Sequence, residues 1–134
     1  MMQRTAAVLT FCLAGLSGAA LAQSAAADDV PVVQVALTNF AFTPKSLHLK
    51  HDMTYRLHFV NNGSSNHNFD SPEFFAAVSV APQDQAKVND GKVEVDEGEA
   101  VDVTVTPRRP GTYPVRCSHF LHTTFGMTGE AVIE

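Results

Sequence analysis

The sequence predicts an all-β fold, a sandwich of two packed sheets with about seven to eight strands. Short runs rich in β-branched and aromatic residues recur along it, among them VVQVALT, TYRLHFVN, KVEVD and AVDVTVT. Turn formers separate them at regular spacing, as in His51-Asp52, Glu97-Gly98-Glu99 and PRRPG at Pro107 to Gly111. Apolar residues alternate within the runs: Tyr55, Leu57 and Phe59 fall on one face, with Arg56 and His58 on the other. That is the pattern of a strand with one face buried.

The chain opens MMQRTAAVLTFCLAGLSGAALAQ, with Arg4 ahead of an apolar run from Ala6 to Leu16 and a small-x-small site at Ala20-Leu21-Ala22. The apolar run is shorter than the ~20 residues of a spanning helix, so residues 1–22 read as a cleaved secretory signal peptide. The bacterial character of this leader points to the periplasm. Cys12 follows Phe11, a bulky neighbour where lipoprotein signals carry a small one, so lipidation is not expected. Residues 23–31 are Ala-rich and polar, a flexible lead-in. Residues 32–134 then form a single domain, long enough for one core.

Strands are expected at Val32 to Thr38, Ser46 to Lys50 (after the break at Pro44), Thr54 to Asn61, Lys92 to Asp96, Ala100 to Thr106, the TYPVRC stretch ending at Cys117, and Gly129 to Glu134. NGSSN at Asn62 to Asn66 reads as a loop delivering His67. SPEFFAAVSVAP reads as a compact irregular or briefly helical segment, with Ser71 as N-cap and Pro72 at the first helical position.

The chemistry concentrates in CSHFLHTTFGM, where Cys117, His122 and Met127 stand as Cys-x4-His-x4-Met. Once the leader is removed Cys117 is the remaining cysteine, and in an oxidising compartment a lone thiol is exposed to oxidation unless a metal holds it. A thiolate, two imidazoles and a weak thioether make the donor set of a blue-copper site, with His67 as the second imidazole. The competing reading of Cys117 is an inert core cysteine, and of Met127 a core side chain. His119 is the alternative ligand. His122 is preferred to it because only His122 also places Met127 correctly.

On these residues the chain resembles the cupredoxin family of plastocyanin, azurin, pseudoazurin and rusticyanin. The resemblance runs from about Val32 to Glu134. It rests on His67-Asn68 after a central strand, GTYPVRC leading into Cys117, and the CSHFLHTTFGM loop followed by TGEAVIE, with ligand spacing of the longer rusticyanin-like type. FAFTPKSLHLK also resembles the family's second-strand region. It implies a Greek-key sandwich holding one type-1 copper ion on His67, Cys117, His122 and Met127. Asn68 is implied as the residue whose backbone contacts the cysteine sulfur and whose side chain ties the two ligand loops together.

The implied function is one-electron transfer rather than substrate turnover. The partner would be a redox protein (cytochrome, oxidase or reductase) docking transiently near His122, where Phe120, Leu121 and Phe125 suggest an apolar rim. The alternative is copper handling, as chaperone or buffer, on the same fold. Multicopper oxidases and nitrite reductases need further copper ligands that this single domain does not offer. The formal charge of −5 becomes more negative once Arg4 is lost, which argues against nucleic acid as a partner. No membrane insertion is expected of the mature domain, and a monomer is expected. Asp90, Glu94, Asp96, Glu97, Glu99 and Asp102 crowd one stretch against Lys92, a solvated edge or a surface steering a basic partner. His48, His51 and His58 read as solvent-facing.

Overall fold

The computed structural model describes residues 29–134, so the predicted leader and most of the lead-in lie outside the described residues. Among these residues ten strands form two five-stranded sheets. In chain order they are β1 (Val32–Thr38), β2 (Ala41–Thr43), β3 (Ser46–Leu49), β4 (Tyr55–Asn61), β5 (His67–Asp70), β6 (Val78–Val80), β7 (Lys92–Val95), β8 (Ala100–Pro107), β9 (Gly111–Arg116) and β10 (Thr128–Ile133). One sheet runs β2-β1-β4-β8-β6 and the other β3-β10-β9-β5-β7. A short helix α1 (Pro72–Ala76) and a 3₁₀ turn over Pro82–Lys87 lie between β5 and β7.

The strands are more numerous than the predicted seven or eight because β2, β5 and β6 are only three or four residues long. β6 lies inside the stretch expected to be irregular, paired with β8 from Val78↔Pro107 to Val80↔Val105. Pro72 does open α1, but the Ser71 hydroxyl makes no capping bond. It donates instead to the Pro114 carbonyl at 2.6 Å and ties the helix start to β9.

The core follows from period-two alternation. Tyr55, Leu57 and Phe59 of β4 are buried, as are Val103 and Val105 opposite them on β8. Phe69, Phe74, Leu37, Val93 and Val95 complete the space between the sheets. Phe69 meets four other aromatic rings, Phe42, Phe59, Phe74 and Phe75, at centroid distances of 5.0 to 6.1 Å. Each such buried side chain contributes about 1.5–3 kcal/mol by leaving water, which makes a rigid platform. β5 is buried at all four positions rather than alternate ones, because its outer face is also covered. Ser118 of the loop from Cys117 to Met127 lies on Asn68 and Arg116 of β9 lies on Asp70; the loop joins the antiparallel pair β9 and β10 at Arg116↔Thr128.

The β1–β2 turn, the loop between β4 and β5, the β7–β8 turn and this long loop meet at one end of the sandwich. Asn39 bonds Ser64, the Glu97 amide donates to Asn66 Oδ1, and Asn61 Nδ2 donates to the Ser65 and Val95 carbonyls. Loops gathered on a rigid frame are where a β-sandwich carries a site.

Candidate metal centre

His67 begins β5 in register with Val95 of β7, so its imidazole emerges where the sheet ends. Cys117 follows β9 directly, and its amide donates to the Met127 carbonyl at 3.1 Å, closing the neck of the loop. Within the loop, the His122 amide bonds the His119 carbonyl, and the Met127 amide bonds the His122 carbonyl at 3.0 Å. Thr123 Oγ1 donates to the Cys117 carbonyl at 2.6 Å. Leu121 sits in the left-handed region at φ 64°, which lets the loop curl and present His122. These bonds leave few ways for the three side chains to separate.

Three donor atoms converge. His67 Nδ1 is 3.1 Å from His122 Nδ1, Cys117 Sγ is 3.3 Å from His122 Nδ1, and Sγ is 3.9 Å from His67 Nδ1. A triangle with these edges has its centre about 2 Å from every corner, the length of a first-row metal bond to nitrogen or sulfur. His67 and Cys117 are fully buried and His122 is half-buried. His67 Nε2 is buried with no hydrogen-bond partner, so the ring is held by packing and by what lies on its Nδ1 side. Met127 is fully buried, and its backbone is stitched to both Cys117 and His122. Two imidazoles, a thiol and a thioether in this arrangement fit a copper ion.

Electrostatics suit a donor set made to receive a cation. Burial pushes the Cys117 thiol up, only partly offset by the N–H groups of Asn68 and His119, while the acids Glu94 and Asp70 push it further. Burial lowers His67, helped by the neighbouring His122 and His119, and burial followed by His119 lowers His122. Both imidazoles are therefore disposed to be neutral, with lone pairs free to bind a cation.

Asn68 bridges the two segments that carry the converging donor atoms. Its backbone N–H donates to Cys117 Sγ at 3.5 Å, its Oδ1 accepts from the Ser118 amide at 2.8 Å, and its Nδ2 donates to Ser118 Oγ at 2.8 Å. His119 is not among the convergent atoms: its Nε2 bonds Glu94 Oε2 at 2.9 Å. His48 and His58 pair with Glu134 and Asp102 at 2.9 and 2.6 Å, away from the centre. Around His122 the surface is apolar. Phe120, Phe125 and Leu121 are exposed, and Phe40 meets the His122 ring edge-on at 5.4 Å.

Some residues of this end carry no readable signal in the sequence. Phe40 arrives from the β1–β2 turn and packs against Phe125, ring centroids 5.2 Å apart and tilted by 51°. Asn61 is buried and accepts the Gly63 amide. A Cβ on Gly63 would come within 2.6 Å of His67 Nε2 and 2.8 Å of Asn39 Oδ1, so glycine is what lets the imidazole lie against this loop. Glycine in NGSSN reads as an ordinary turn residue until His67 is placed beside it.

The comparisons agree with the geometry. A sequence model described as "Cupredoxin-like domain" matches residues 9–133. No curated protein matches. The fold is similar to that of dithionite-reduced auracyanin from the photosynthetic bacterium Roseiflexus castenholzii, at 20% identity and TM-score 0.57, covering 77% of this chain and 96% of that one. Auracyanin B is similar at 24% identity and TM-score 0.56, over 78% of this chain and 88% of the other. The multicopper oxidase of the hyperthermophile Aquifex aeolicus is similar at 15% identity and TM-score 0.57, over 80% of this chain but 30% of that longer one. With two sheets, the loops at one end and a family match over nearly its full length, the chain belongs to the cupredoxin-like domain family.

Proposed function

We propose that this protein is a periplasmic type-1 copper protein that carries single electrons between redox partners. The observation that carries this reading is the triangle of Cys117 Sγ and the Nδ1 atoms of His67 and His122 directly beneath an exposed apolar rim. Copper held there would supply a one-electron couple, alternating between its cuprous and cupric states. His67, Cys117 and His122 would hold the ion, with Met127 as a weaker fourth donor.

The chain's own residues account for the rest. Backbone bonds across the loop neck and the buried position of β5 hold the donors in one arrangement, so little has to move when the charge changes. Asn68 directs its N–H at the sulfur, which stabilises a thiolate and fixes its direction. His122 is the ligand nearest solvent, with Phe40 against its ring, Phe125 against Phe40 and the exposed Phe120 on the same loop, and this edge is the proposed electron port. A small apolar patch supports brief docking rather than a lasting complex. A carrier needs one ion, and among the described residues one group of three convergent ligands is present. The leader expected from the sequence of residues 1–22 supports the periplasm as its place of work.

The test is the absorption and EPR spectrum of the mature protein with one equivalent of Cu(II), alongside Cys117→Ser and His122→Ala. An intense blue band with narrow copper hyperfine splitting, lost in both variants, is the expected outcome. A pale ordinary copper spectrum, or one that survives His122→Ala, would overturn the carrier and favour copper handling.

A further inference from the structure

Glu94 sits on β7 directly across from Asn68 on β5, and it is the carboxylate at the meeting point of both segments that carry Cys117's neighbours. Its two oxygens do separate work. Oε1 accepts from Asn68 Nδ2 at 2.8 Å and Oε2 bonds His119 Nε2 at 2.9 Å. The flanking Val93 and Val95 point into the core and are fully buried, so the alternation of the strand fixes Glu94 on the outer face, over the ligand loop.

The consequence for Asn68 is an amide that cannot turn over. Its Nδ2 faces two acceptors, Glu94 Oε1 and Ser118 Oγ, while its Oδ1 faces the Ser118 N–H. A flip would set oxygen against carboxylate and N–H₂ against N–H. The same residue's backbone N–H is the one directed at Cys117 Sγ. Through His119, Glu94 also holds the second residue after Cys117. A carboxylate therefore grips the first turn of the ligand loop from both sides.

We infer that Glu94 is a positioning residue for the Cys117 sulfur, acting through Asn68 and His119, and that its negative charge biases the centre toward the oxidised metal. This rests on the copper reading above. The two contributions separate by salt: Glu94 is about half exposed, so its charge is screened as ionic strength rises, while its hydrogen bonds are not. Glu94→Gln keeps the shape and can still accept from Asn68, but removes the charge. Glu94→Ala removes both.

Two measurements decide it. In the copper-loaded protein, Glu94→Gln is expected to raise the reduction potential at low salt, with the difference shrinking as salt is added and the blue band staying in place. Glu94→Ala is expected to shift the sulfur-to-copper band and EPR parameters as well. An unchanged low-salt potential in Glu94→Gln, or a Glu94→Ala spectrum identical to wild type, overturns the inference. The metal-free protein supplies the independent reading. Hydrogen exchange at the Asn68 and Ser118 amides should speed up by about tenfold in Glu94→Ala and little in Glu94→Gln. Unchanged exchange refutes the clamp. If no blue centre forms, the copper reading fails while this exchange still decides whether Glu94 holds the loop.

Discussion

The Nδ1 atoms of His67 and His122 lie 3.1 Å apart although the residues are separated by fifty-five positions. Two neutral imidazoles brought lone pair to lone pair repel unless a proton or a metal ion stands between them. The fold imposes this approach from opposite sides, β5 from below and the ligand loop from above. A proton on one Nδ1 would relieve this, and so would a copper ion, which Cys117 Sγ, 3.3 Å from His122 Nδ1, is placed to help hold.

Metal uptake should release about one proton per ion near neutral pH. Burial raises the Cys117 thiol, so the metal-free sulfur carries its proton, and binding as thiolate expels it. His67 and His122 are lowered, by burial first, and so have no proton to give until the pH falls below their ordinary range. Anaerobic titration with Cu(I) in buffers of different ionisation enthalpy counts the protons. Zero would mean a thiolate already present, and two or more would mean a charged imidazole in the metal-free centre.

Gly63→Ala should weaken copper binding by about tenfold or more while leaving the fold intact. The new Cβ meets His67 Nε2 and Asn39 Oδ1, both ends of side chains rather than backbone, so the protein can accommodate it by moving the imidazole. That movement is what spoils the triangle. Competition against a chelator of known affinity reads the loss, and a far-UV spectrum checks the fold. Wild-type affinity in this variant would show that His67 is not held where the metal needs it.

The strand ladder was legible because alternation in TYRLHFVN and AVDVTVT states which residues face inward, and the burial of Leu57, Phe59, Val103 and Val105 follows from it. Cys117, His122 and Met127 were legible as a group because one loop carries them all. β5 was not, since HNFD is buried on both faces and shows no alternation. Glu94 and Phe40 were illegible for a different reason. Their roles arise from register and from a turn far away in sequence, and a single exposed acid or aromatic says nothing of either.

Asp84 should make stability fall in acid. Burial opposes its charge, but the Lys87 ammonium at 2.6 Å and the Thr104 N–H at 2.8 Å outweigh this and hold its pKa below the usual carboxylate value. A depressed folded-state pKa means stability that is present above the unfolded value of about 3.9 and lost as pH falls through the folded one. Asp84→Asn should cost about 1–3 kcal/mol near neutrality, because it weakens the bonds to Lys87 and the Thr104 amide. Denaturant midpoints measured against pH should bring wild type and variant together in strong acid. A constant gap across the whole range would assign the loss to packing instead.

Phe120→Ser should slow electron exchange with a protein partner and leave the potential where it was. Phe120 is 87% exposed, the most exposed of the large apolar side chains among the described residues, and makes no bond to any of the converging donors. Phe40 differs: it rests edge-on against the His122 ring at 5.4 Å, so Phe40→Ala should also alter the spectrum. Loss of one anchor at a small interface costs about 1 kcal/mol or more, which is roughly fivefold in the second-order rate. Stopped-flow mixing with a cytochrome reads that rate, and a small inorganic oxidant serves as the control that needs no docking surface. A Phe120→Ser protein slowed equally toward both would place the fault in the metal centre. One slowed toward neither would move the port away from His122.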